Sequence, residues 1–137
     1  MNARRGVVYE KSYALELSRI ASEDLQAAQV LLDAGVKRKE NIFLLAQQAL
    51  EKALKALLCA CELPVPHLHE ISLLVDRLPD EVQPPFQNEF NSLTEYATIR
   101  RYLEGREHLD EKVIQTALLA ISDAVAWCQQ EVNKKFE

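Results

Sequence analysis

Residues 42–58 read Ile-Phe-Leu-Leu-Ala-Gln-Gln-Ala-Leu-Glu-Lys-Ala-Leu-Lys-Ala-Leu-Leu. Nothing in this stretch alternates with the period of two that a half-buried strand needs, and neither Gly nor Pro interrupts it. It is apolar on most sides, with a narrow polar strip of Gln47, Gln48, Glu51, Lys52 and Lys55. A helix of that kind packs against neighbours on several faces, so the segment from about Lys39 to Cys61 is predicted to be the central helix of an all-α bundle. Ala49, Ala53 and Leu57, on its most apolar side, are expected to be buried against the first and last helices. Glu51 and Lys55 stand four apart in the order that favours an ion pair. Pro64 and Pro66 end the helix and force an extended connection.

The rest of the chain agrees with a bundle. Before the central segment, Leu17, Ala21, Leu25, Ala28 and Leu32 recur at spacings of four and three, predicting a helix from about Ser12 to Ala34 that ends at Gly35. After it comes a short helix over about His69 to Leu78, with Ile71, Leu74, Val75 and Leu78 inward, then a loop from Pro79 to Pro85. A further helix is expected over about Phe86 to Arg100 on Phe86, Phe90, Leu93 and Ala97. The residues from Arg101 to Leu109 read as a loop, and Asp110 is a natural N-cap for the last helix, which runs to about Lys134. That helix carries two stripes. One is Ile114, Ala117, Leu118, Ile121, Val125 and Cys128; the other is Val113, Ala120, Ala124 and Trp127. Two stripes predict contact with more than one neighbour, a second subunit among them. The expected architecture is an up-and-down bundle of four long helices plus a short one, in one domain spanning 1–137 with its core at about 12–135.

Composition narrows the functional classes. The formal net charge is −5, from 16 basic and 21 acidic residues, which argues against wholesale nonspecific nucleic-acid binding while leaving room for a local basic site. No run of about 18 apolar residues lacks charge, so no membrane span is expected. The first eleven residues carry Arg4 and Arg5 without an apolar core behind them. They do not read as a secretory signal, and a cytoplasmic location is the expectation. Cys59, Cys61 and Cys128 are expected as reduced thiols. Cys59, Cys61, His67 and His69 form a C-x-C…H-x-H set, but residues two apart on a helix point roughly 200° apart, so zinc is not expected. No phosphate loop, nucleophile elbow or H-E-x-x-H occurs, and no cofactor is expected.

The densest polar cluster is Arg100, Arg101, Tyr102, Arg106, Glu107 and His108. Guanidinium groups make bidentate bonds to phosphate, and imidazole exchanges protons near neutrality. Arg and His together are the minimum for cleaving RNA without metal: one steadies the phosphate, the other moves the proton of the attacking 2′-hydroxyl. A solvated charged loop has the same composition. Lys52 and Lys55 on the central helix could hold an anion beside this cluster, or simply form that helix's solvent face.

The central helix also resembles the signature F-x-x-x-Q-Q-x-x-E-K-x-x-K-A-x-L of HEPN domains, through Phe43, Gln47, Gln48, Glu51, Lys52, Lys55, Ala56 and Leu58. Ala21, Asp24, Leu25 and Ala28 resemble the family's first helix. His69 with Leu73 and Leu74 resembles its following segment, and Arg101-Tyr102 its Arg-Tyr pair; the resemblance covers about Leu17 to Trp127. It implies a helical bundle, usually a homodimer, that binds nucleotide or RNA phosphate and is often encoded beside a minimal nucleotidyltransferase in a toxin–antitoxin pair. Many such domains are metal-independent endoribonucleases carrying Arg, four to six residues, then His. Arg101 and His108 are separated by six, and Leu103 stands where the family commonly has Pro. By this resemblance Arg101 and His108 are the catalytic pair, and Arg100, Arg101, Tyr102, Arg106, Lys52 and Lys55 bind nucleotide phosphate. The alternative is a non-catalytic helical dimer acting as a protein-interaction scaffold.

Overall fold

The computed structural model describes residues 5–85 and 111–137. Within them lie four helices: α1 (Tyr13–Asp33), α2 (Lys39–Ala60), α3 (Ile71–Val75) and α4 (Glu111–Lys134). The expected further helix over 86–100, the loop after it and the Asp110 cap fall outside the described residues.

Helix α2 is the centre. Ile42, Ala46, Ala49, Leu50, Ala53, Leu54, Ala56, Leu57 and Leu58 are all at most 1% exposed. It packs along both α1 and α4, and touches α3. The expectation that Ala49, Ala53 and Leu57 are buried holds. Helix α1 contributes Ala14, Leu17, Ala21 and Ala28 to the core, with Leu25 and Leu32 half-buried. Small residues on both helices, with leucines between them, let the backbones approach closely, because interaxial distance follows side-chain size at the contact. On α4 the stripe Ile114, Ala117, Leu118, Ile121, Val125 and Cys128 is buried throughout. The second stripe is mixed: Ala124 is buried, Trp127 packs partly against the core, and Val113 is exposed.

Helices α1 and α2 end alike, for a reason the sequence shows only once. After α1, Val36 N–H donates to the Leu31 carbonyl and Gly35 N–H to that of Leu32, with Gly35 at φ +68°. This is a Schellman closure, in which a left-handed residue returns the chain to satisfy the last carbonyls. After α2, Leu63 N–H donates to Leu58 and Glu62 N–H to Cys59, and here the left-handed residue is Glu62, at φ 60°. Helix α2 therefore stops before Pro64 acts on it.

The third helix is shorter than the expected span from His69 to Leu78. Glu70 is extended (ψ 123°), so helical geometry begins only at Ile71, and looser turns carry the chain from Val75 to Leu78. Ile71, Leu74, Val75 and Leu78 are nevertheless all buried.

A further feature has no periodic signal. Val7 pairs antiparallel with Val65 through two backbone hydrogen bonds of 3.0 and 2.9 Å. Gly6, at φ +83°, lies so close to this contact that a Cβ there would sit 2.0 Å from the Val65 carbonyl oxygen. Lys11 continues the strap, donating to the Lys135 carbonyl with its ammonium 4.8 Å from the centre of the Phe136 ring. The strap thus binds the loop after α2 and the end of α4 to the start of α1.

Candidate functional site

On the polar strip of α2, titratable side chains from three segments of the chain meet. Successive helical positions turn by about 100°, so Glu51 and Lys52 look to different neighbours. Lys52 reaches α1, where its Nζ lies 2.6 Å from Asp24 Oδ2. Glu51 faces the other way and is shared: Oε2 accepts from Lys55 Nζ at 3.2 Å, and Oε1 lies 3.0 Å from His69 Nδ1. Two bridges thus cross the strip, one fastening α2 to α1 and one fastening it to the segment that leads into α3.

Exposure separates the members. The Glu51 and Lys55 side chains are only 16% and 15% exposed, Lys52 is 32% exposed, and His69 is 79% exposed. The two lysines are balanced by two carboxylates. The anion affinity expected of Lys52 and Lys55 therefore has to be won in competition with Asp24 and Glu51. Lys52 is the better placed, since an ammonium has three donors and a third of its side chain is open.

The sequence reading places His69 at the start of the third helix. The structure puts it before that helix, against Glu51, a partner 18 residues away that no local pattern reveals. The pairing of Lys55 with Glu51 is as the four-residue spacing predicts. Arg100, Arg101, Tyr102, Arg106 and His108 lie outside the described residues.

The cysteines lie elsewhere. Cys59 is buried and donates from Sγ to the Glu10 carbonyl at 3.3 Å; Cys128 is buried in α4 and Cys61 is partly exposed. Burial pushes all three thiols above their ordinary range, Cys128 furthest, so none is an activated nucleophile. No three His, Cys, Asp or Glu side chains among the described residues are placed to hold a metal. No helix among them is long and apolar enough to cross a membrane.

Two surface depressions lie away from the strip. One, of about 490 Å³, is lined by Gln29, Leu32 and Asp33 of α1 and Gln115, Leu118 and Ser122 of α4, among others. The other, of about 420 Å³, lies beside the strap at Lys11, Cys61 and Lys135. Neither includes Lys52, Lys55 or His69.

The described helices form an all-α bundle whose central helix carries its core on one side and a paired Glu-Lys-Lys strip on the other. The chain belongs to the HEPN family: the model of the HEPN domain matches residues 14–132, from the first turn of α1 almost to the end of α4. No curated protein and no solved structure matches it significantly. Membership makes this a nucleotide- or RNA-related helical domain.

Proposed function

We propose that the chain binds the phosphate of a nucleotide or RNA, with Arg100, Arg101, Tyr102 and Arg106 as the principal ligands and Lys52 and Lys55 beside them. The observation that carries this reading is the HEPN match over residues 14–132, which spans both the α2 strip and the arginine cluster. The chemistry supports it. Guanidinium groups clamp phosphate bidentately, and a chain of net charge −5 needs such a concentrated cationic site to hold an anion. In the same proposal the chain is a homodimer and the partner of a minimal nucleotidyltransferase in a toxin–antitoxin-type pair. Trp127, partly open on α4, supplies an anchor of the type favoured at interface centres.

The proposal extends to metal-independent RNA cleavage. His108 takes the proton of a ribose 2′-hydroxyl, the freed oxygen attacks the adjacent phosphorus, the 5′-oxygen leaves and takes a proton from water, and Arg101 steadies the charge building on the phosphate. A general base contributes about 10²–10⁴-fold, so His108→Ala should reduce cleavage by that factor in the presence of a chelator while leaving the fold intact. Arg101→Ala should weaken binding as well as rate. Binding that depends on Arg101, without cleavage of varied RNAs, would make the chain a binding module. Absence of both binding and cleavage at low salt would leave the protein-interaction scaffold.

A further inference from the structure

The depression between α1 and α4 takes no part in the phosphate-binding reading, and its chemistry is unlike that of the polar strip. On α4, Glu111, Gln115, Leu118 and Ser122 follow one another along one face over about 16 Å of helix. On α1, Gln29, Leu32 and Asp33 form the facing wall. The result is an elongated groove of about 490 Å³.

Its two ends differ. Asp33, the last residue of α1, and Glu111, the first of α4, put carboxylates at one end. Asp33 accepts a hydrogen bond from Gln29 at 2.9 Å, a neutral donor, and no lysine or arginine among the described residues lines the groove. Lys112 follows Glu111 in sequence but turns about 100° away from it around the helix. Further along α4, Leu119 stands 66% exposed on the rim, beside the buried Leu118. The depression beside the strap is the contrast: there Lys11 and Lys135 stand with Glu62 and Glu81, and the charges balance.

A carboxylate pair without a counter-charge attracts a cation, and an open leucine gains by being covered. A nucleic acid is a poor occupant, because the carboxylates repel its phosphates. The complementary occupant carries a cation and an apolar side chain about 12 Å apart, the rise from Glu111 to Leu119, and one face of an amphipathic helix supplies both. We infer that the α1–α4 groove docks an amphipathic helical segment of another protein, with arginine or lysine against Asp33 and Glu111 and an apolar side chain two turns away against Leu119. The inference goes beyond the phosphate-binding reading and does not depend on it.

The test titrates the full chain, at low salt, with a synthetic helical peptide carrying arginine and leucine two turns apart on one face, and with a peptide of the same composition in scrambled order. Amide shifts in ¹H–¹⁵N spectra locate the contact, and fluorescence anisotropy gives the affinity. Asp33, Glu111 and Leu119 are exposed, so replacing them leaves the core untouched. The patterned peptide should shift Gln29, Asp33, Gln115 and Leu119, and should bind more tightly than the scrambled one. Asp33→Asn combined with Glu111→Gln should weaken it about 3–10-fold, an effect that fades as salt is added. Leu119→Ala should weaken it by about the same factor at any salt concentration. Glu81→Gln removes an exposed carboxylate elsewhere and should leave the affinity unchanged. Equal affinity for the scrambled peptide, indifference to Leu119→Ala, a matching loss in Glu81→Gln, or no binding at all would each overturn the inference. So would displacement of the peptide by spermidine at matched charge, since the groove would then be a site for small cations.

Discussion

The two sides of α2 obey different rules although they share one backbone. On the apolar side, Ala46, Ala49, Ala53 and Leu57 are almost wholly enclosed, and their place follows from spacing alone. On the polar side, Glu51, Lys52 and Lys55 are enclosed to very different degrees, and each is defined by a partner. For Lys55 the partner is on the same helix, for Lys52 it is on α1, and Glu51 adds His69 from the segment before α3. Burial is a periodic property that one helix can encode. Pairing across elements depends on how two helices are set against each other, and no single helix encodes that.

The contrast can be broken most forcefully on the apolar side. Leu57→Ala removes a side chain with no exposed surface and should cost about 2–5 kcal/mol, the transfer free energy of the lost carbons plus that of the cavity left behind. Denaturant unfolding measures it, and a cost below about 0.5 kcal/mol would show that α2 is not central.

The polar side should respond far less. The Asp24–Lys52 bridge is partly open to water, so a double-mutant cycle with Asp24→Ala and Lys52→Ala should return a coupling of about 0.5–1 kcal/mol, reduced by added salt. A coupling near that of Leu57 would mean that the strip, rather than the core, fixes α1 on α2. A coupling of zero would free Lys52 entirely for a ligand.

The long helices were legible because their stripes repeat: the expected limits of α1 and α2 lie within a residue of those observed, and the last helix ends where expected, at Lys134. The expected third helix exceeds the observed one because Leu78 is buried without being helical, and burial alone cannot tell a turn from a helix. The left-handed Glu62 gave no sign, since glutamate is not a residue one reads as a helix stop; its conformation is set by the closure around Leu58 and Leu63. The strap was invisible because Val7 and Val65 meet only once α1 and α2 are packed. In the candidate site, the Glu51–Lys55 pair was legible from its spacing. The Asp24–Lys52 and Glu51–His69 contacts join residues 28 and 18 apart across separate elements, beyond the reach of any periodic argument.

The central proposal is that the polar side of α2 and the residues at 100–108 meet a nucleotide or RNA. Its most direct test is a titration of the isotope-labelled chain with a 5′-ribonucleotide and with a short single-stranded RNA, followed residue by residue in ¹H–¹⁵N spectra at low salt. The claim predicts saturable shifts at Glu51, Lys52, Lys55, His69 and the 100–108 stretch, and none at the depression lined by Gln29 and Gln115. Shifts centred on that depression with the strip silent, or no shifts with either ligand, would contradict it.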